Sequence, residues 1–131
     1  MEKHSSFPTD RGLYLIYYNG PSFTEGDGTV IETGCCKVGQ QIRNLNGVFK
    51  RYGDHAAKYG GDPNAITTEI ICRVRDRDDL DILEKMVQNT FRQRRLKNAR
   101  GSTKEWMQST DRAEIIEALH KAFNSHFSIA K

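Results

Sequence analysis

Gly12-Leu13-Tyr14-Leu15-Ile16-Tyr17-Tyr18 runs straight into Asn19-Gly20-Pro21, and the rest of the chain is read outward from this stretch. Its β-branched and aromatic residues, stopped by turn formers, predict a strand. The polar, glycine-rich Pro21 to Gly28 predicts a loop, and Thr29 to Thr33 alternates weakly before Gly34 interrupts. Cys35-Cys36-Lys37-Val38-Gly39 then resumes a short strand. The two strands are expected to pair as a hairpin, with the loop inserted at its tip.

Further along, Leu45, Val48, Phe49 and Tyr52 fall at helical spacing and predict a helix over Leu45 to Tyr59. Ile66 to Arg75 predicts a strand, with Ile66, Thr68, Ile70, Cys72 and Val74 on one face. Asp78 or Asp79 can cap the next helix, whose Leu80, Leu83, Val87 and Phe91 form an apolar stripe. Arg100-Gly101-Ser102-Thr103 breaks that pattern. A last helix is expected from Asp111, with Glu114 at capping-box spacing and Ile115, Ile116, Leu119, Phe123 and Phe127 buried. The expected fold is α+β: a small mixed or antiparallel three-stranded sheet flanked by helices, in the order β-β-α-β-α-α. It forms one domain over residues 1–131, with a core near 11–108 and a C-terminal helix over 111–127.

At 131 residues the chain has the size of one domain, and its 37% hydrophobic and 28% charged content are those of an ordinary globular protein. Met1 to Arg11 is polar and charged, unlike a signal peptide. No apolar run approaches the ~20 residues that cross a bilayer. The three cysteines, Cys35, Cys36 and Cys72, are odd in number and form no CxxC pair, which argues against a disulfide framework and a zinc cluster. They are expected as small apolar residues in strands. The chain reads as cytoplasmic, or nuclear, with no membrane partner.

The Gly12-Leu13-Tyr14 strand and Cys36-Lys37-Val38-Gly39 resemble the two motifs of the GIY-YIG nuclease superfamily, with lysine where the second motif usually has tyrosine. Downstream, Arg51 and His55 have the spacing of that family's arginine and histidine, and Glu84 lies on the helix after the third strand, as the family's metal-binding glutamate does. Gly101-Ser102-Thr103-Lys104-Glu105-Trp106-Met107 looks like the tail of a branch found in phage and large-virus proteins, which often carries lysine in the second motif. The resemblance covers roughly Arg11 to Gln108. It implies a metal-dependent endonuclease with catalytic Tyr14, Lys37, Arg51, His55 and Glu84, and with Mg²⁺ or Mn²⁺ held at Glu84. The spacing between Gly39 and Arg51 exceeds the family's usual one, so Arg43 is a rival for the arginine role. Asn98 is the candidate for an asparagine that the family often uses after the glutamate helix.

These residue types suit phosphodiester hydrolysis. A hard cation is held by one or two carboxylates together with water and phosphate oxygens, and Glu84 can be such a carboxylate; otherwise Glu84 is a surface residue pairing with Gln88 or a lysine. Arg51 offers a permanently charged fork to a phosphate, and His55 exchanges a proton near neutrality. Lys37 acts as a base only if its pKa is lowered. If it stays protonated it holds phosphate, which leaves Tyr14 or His55 as the base. Tyr14 otherwise packs in the core, and Trp106 is read as core rather than as a base-stacking platform.

From Lys85 to Lys104 the chain has seven basic residues and no acidic one. Within and beside that run, Arg92, Arg94, Arg95, Lys97, Asn98 and Arg100, with Lys50 and Arg43, are candidates for a nucleic-acid grip. DNA is the expected polymer, with RNA as the alternative. A single site cuts one strand, so a double-strand break would need a homodimer or two visits. Two other readings compete: the same fold gripping nucleic acid without cutting, and a partner-binding role for the amphipathic 111–127 helix.

Overall fold

The computed structural model describes residues 12–41 and 45–127. In chain order the elements are β1 (Gly12–Tyr18), β2 (Phe23–Thr24), β3 (Val30–Ile31), β4 (Cys36–Gln41), α1 (Leu45–Lys58), β5 (Ile66–Arg73), α2 (Arg77–Thr90), β6 (Arg95–Lys97), β7 (Thr103–Met107) and α3 (Arg112–Phe127). The fold is α+β: an antiparallel five-stranded sheet in the order β5-β1-β4-β7-β6, with a separate β2-β3 hairpin and three helices.

The expected hairpin is present, with β1 paired to β4 in the register Tyr14↔Gly39 and Ile16↔Lys37. The expected loop at its tip contains the β2-β3 hairpin. Where three strands were expected there are five, because β6 and β7 extend the sheet beyond β4 through the pair Cys36↔Met107. β6 lies in the basic stretch, where few apolar residues mark a period, and β7 begins at its end, with only Trp106 and Met107 apolar. Gly101 adopts φ 85° at the turn between them, a conformation favourable to glycine.

Alternation along β1 sorts the core into two layers. Leu13 and Leu15 pack with Cys36, Val38, Leu80, Leu83, Val87, Ile115 and Leu119 under α2 and α3. Tyr14, Ile16 and Tyr18 pack with Phe23, Ile31, Val48, Ala56 and Trp106 under α1 and the insertion. The single-face reading of β5 fails because the β1-β5 register slips between Leu13 and Tyr14. The bulge puts Ile66 and Ile70 in the aromatic layer, and Cys72 and Val74 against the aliphatic one.

The helices also depart from expectation in places. Asp76, rather than Asp78 or Asp79, caps α2, its carboxylate accepting from both of their backbone N–H groups. The stripe Leu80, Leu83, Val87 and Phe91 is buried as expected. Phe49 and Phe123 are exposed, and Ile116 and Phe127 are half-buried, whereas Ala56, Ala118 and Ala122 are buried. Ala118 and Ala122 pack into the aliphatic layer, with Phe127 against its edge, and Ala56 packs into the aromatic layer. Cys35 and Cys36 are buried and Cys72 is half-buried; all three are free thiols. No described helix is long and apolar enough to cross a membrane.

Candidate active site

The site begins where β1 and β4 pair. A Cβ at Gly39 would stand 2.5 Å from the Tyr14 hydroxyl oxygen, so only glycine lets the Tyr14 ring lie across β4. Tyr14 is almost fully buried, and its hydroxyl is 3.4 Å from that of Tyr52 on α1. The Tyr52 ring stands edge-on to Trp106, with centroids 5.8 Å apart. Lys37 donates a hydrogen bond from Nζ to the Tyr52 hydroxyl and lies 3.0 Å from Glu105 Oε1. The Arg51 guanidinium lies 5.0 Å from the Tyr52 ring centroid.

This arrangement drives the two phenols apart. Burial pushes Tyr14 well above its usual range, helped by its hydrogen bond to Tyr52 and by that neighbour's charge. Burial opposes ionisation of Tyr52 as well. There it is outweighed by the Lys37 ammonium, the hydrogen bonds from Lys37 and Tyr14, and the Arg51 charge, so Tyr52 lies below the ordinary tyrosine range.

His55, one helical turn after Arg51, is held by a carboxylate from the insertion. His55 Nε2 and Glu25 Oε2 are hydrogen-bonded, and the ring stands edge-on to Tyr59 and Phe23. Glu25 is buried, and Lys104 Nζ lies 3.9 Å from its other oxygen. Asp27 accepts from the Thr29 backbone N–H and hydroxyl and from Lys104 Nζ at 2.6 Å. The Ala99 N–H donates to the Asp27 carbonyl, so the insertion spans from β1 to the β6-β7 turn.

Between these groups lies an open cleft of about 750 Å³, lined by Lys37, Arg51, Tyr52, His55, Lys58, Lys104, Glu105 and Trp106 among others. Thr103 lines both this cleft and a second hollow with Arg92, Arg95 and Lys97. The cationic side chains of the cleft therefore continue onto the basic outer strand.

Glu84 borders the sheet from α2 and is half-buried, with burial pushing its carboxyl above the usual range. Its two oxygens accept from Gln40 Nε2 at 2.7 Å and Gln88 Nε2 at 3.0 Å, so the pairing with Gln88 is present. The same Gln40 amide also donates to Asp81, one turn earlier. Two carboxylates sharing one donor, with Lys37 and Glu105 felt electrostatically, are a donor set that fits one hard divalent cation completed by water and phosphate. Among the described residues no group of three or more histidine, cysteine or acidic side chains could hold a metal ion.

The structure thus brings Tyr14, Lys37 and Arg51 together around Tyr52, places His55 in the same cleft, and sets Glu84 outside its lining. Arg92, Lys97 and Arg100 are exposed. Lys50 is exposed but paired with Asp54 at 2.9 Å. Arg94 is engaged with the Thr110 hydroxyl and Glu114, and Arg95 donates to the Lys104 carbonyl. Asn98 Oδ1 accepts from the Arg100 and Ser102 backbone N–H groups, making it a former of the β6-β7 turn. Arg43 lies outside the described residues. Sequence reasoning missed Tyr52, Glu25 and Glu105. In the sequence Tyr52 only falls at helical spacing with Leu45, Val48 and Phe49, although its place beside Arg51 is a usable signal. Glu25 and Glu105 reach the site only through contacts remote in sequence.

Compared with known protein families, curated proteins and solved structures, the chain matches none.

Proposed function

We propose that the protein is a divalent-metal-dependent endonuclease of the GIY-YIG kind that its motifs resemble, hydrolysing phosphodiester bonds of DNA. The observation that carries this reading is the cleft in which the Tyr52 phenol, backed by buried Tyr14, meets an ammonium and a guanidinium, continuous with a basic strand. Arg51 and Lys37 bind the scissile phosphate, while Lys104, Lys97 and Arg92 grip flanking phosphates without reading bases. Glu84, with Asp81, would hold Mg²⁺ or Mn²⁺, whose chemistry there would be neutralisation of charge on the phosphate and the departing 3′ oxygen. Glu25 keeps the His55 ring in one orientation at the cleft wall.

A second reading, a nucleic-acid-binding module that does not cut, is favoured by one contact. The Gln40 amide already occupies both Glu84 and Asp81.

The test is relaxation of a supercoiled plasmid by purified protein with Mg²⁺ or Mn²⁺, beside Glu84→Ala and a chelator control. Nicking by wild type that is abolished in both controls is expected. An intact plasmid across both metals, with a salt-sensitive gel shift in the same sample, would establish the binding module instead.

A further inference from the structure

Resting on the nuclease reading, we infer that Tyr52, which lies outside both sequence motifs, is the catalytic residue that takes the proton from the attacking water. Tyr14 is the phenol at the motif position, yet it is only 2% exposed and is not among the residues lining the cleft. Tyr52 lies between Tyr14 and the cleft, half-buried and lining it. The replacement of a motif tyrosine by Lys37 therefore does not leave the cleft without a phenol. α1 supplies one, and the lysine sits against it.

The hydrogen bonds give Tyr52 a direction. Lys37 has only donors, and buried Tyr14 keeps its proton, so both donate to the Tyr52 oxygen. Two donated bonds on one phenol oxygen favour its ionised form. Tyr52 lines the cleft, so a water there has access to this phenol. The charged and titratable groups around it are Tyr14 from β1, Lys37 from β4, Arg51 from α1, Glu105 from β7 through Lys37, and Glu84 from α2 through the Lys37 and Glu105 charges. Cations stand closest, in keeping with its depressed pKa.

The step balances without a further reagent. A water O–H bond breaks and its proton goes to the Tyr52 phenolate, while the water oxygen forms a bond to phosphorus. The P–O3′ bond breaks, and the leaving oxygen takes a proton from solvent. Tyr52 then returns its proton to solvent through the open cleft.

The experiment compares wild type, Tyr52→Phe and Tyr14→Phe in plasmid nicking across pH with DNA affinity measured alongside, and adds an ultraviolet tyrosinate titration without DNA. Phenylalanine keeps the ring against Trp106, so Tyr52→Phe is expected to fold and to bind DNA within about twofold of wild type. It should nick at least about 100-fold more slowly, the usual contribution of a positioned base. The rise of nicking rate with pH should disappear with it, whereas Tyr14→Phe should lose less and keep the rise. In the titration, one of the five tyrosines should ionise before the rest, vanish in Tyr52→Phe, and return to the ordinary range in Lys37→Met. Nicking by Tyr52→Phe within threefold of an active wild type would overturn the assignment, as would greater damage from Tyr14→Phe or a titration that Tyr52→Phe leaves unchanged. All the nicking outcomes need an active wild type, so they separate from failure of the nuclease reading, which is a wild type that does not cut.

Discussion

The two faces of the sheet share the same strands but hold different chemistry. Under α2 and α3 the layer is aliphatic, with Leu13, Leu15, Val38, Leu80, Leu83 and Val87 closed against one another. Under α1 the layer is aromatic and hydroxylated, with Tyr14 and Tyr18 inside it, and Tyr52 and Trp106 line a cleft where α1 and β7 part. Alternation along β1 supplies both. Odd positions go to the dry face, and even positions, which include Tyr14, go to the face with titratable groups. One face is built for stability, and the other gives up some close packing to keep polar atoms within reach of solvent.

The largest effect that would test this division is Leu83→Ala. Leu83 is fully buried, and the substitution should cost about 3 kcal/mol through lost transfer energy and a cavity. Chemical denaturation should show that loss, while the nicking rate per folded molecule stays at the wild-type value. A fall in that rate would mean that the aliphatic layer shapes the cleft as well.

Tyr18→Phe probes the other face with a smaller cost. The Tyr18 hydroxyl donates to the Pro21 carbonyl and accepts from the Asp62 N–H, tying the root of the insertion to the loop after α1. Losing it should cost about 1 kcal/mol, the net worth of hydrogen bonds to an exposed Pro21 and a half-buried Asp62. Phe23 packs on both Tyr18 and His55, so nicking should also fall several-fold, measured on samples matched for folded fraction. An unchanged rate would show that the insertion does not position His55.

The smallest effect is alkaline sensitivity, in which Tyr52 should differ in sign from the other phenols and thiols that burial shifts on both faces. On the aliphatic side, burial pushes Tyr17 up to about 12 from 10.0 and Cys36 up to about 11 from 9.0. Both prefer to stay protonated in the fold. Their stabilisation is complete below about pH 9 and is lost as pH rises through their folded values. Tyr52, being depressed, adds stability between its own pKa and the ordinary tyrosine value. The melting temperature should therefore fall from about pH 9 to 11, and fall further in Tyr52→Phe than in wild type. Equal slopes in the two proteins would show that Tyr52 is not depressed.

Local periodicity made the centre of this fold legible. The β1-β4 hairpin, the α2 stripe and the Glu84 helix follow from spacings that a single element displays. The outer strands did not, because β6 contains Leu96 as its only apolar residue and β7 is recognisable mainly by pairing with Cys36, far away in sequence. The β5 bulge was equally hidden, since it exists only in relation to β1. In the site, Lys37, Arg51 and His55 line one cleft, Tyr14 lies behind Tyr52, and Glu84 stands outside that lining. Tyr52 escaped notice because an aromatic at helical spacing reads as core, and Glu25 because its partner His55 is 30 residues away.

The β7 wall has a consequence for the order in which the molecule comes into being. Lys104, Glu105 and Trp106 form one side of the cleft, and Lys104 meets Asp27 across 77 residues of chain. A ribosome makes the opposite wall first, so a nascent chain carries Tyr14, Lys37 and Tyr52 long before it has a cleft. Whatever the cleft does is withheld until β7, ending at Met107, has emerged.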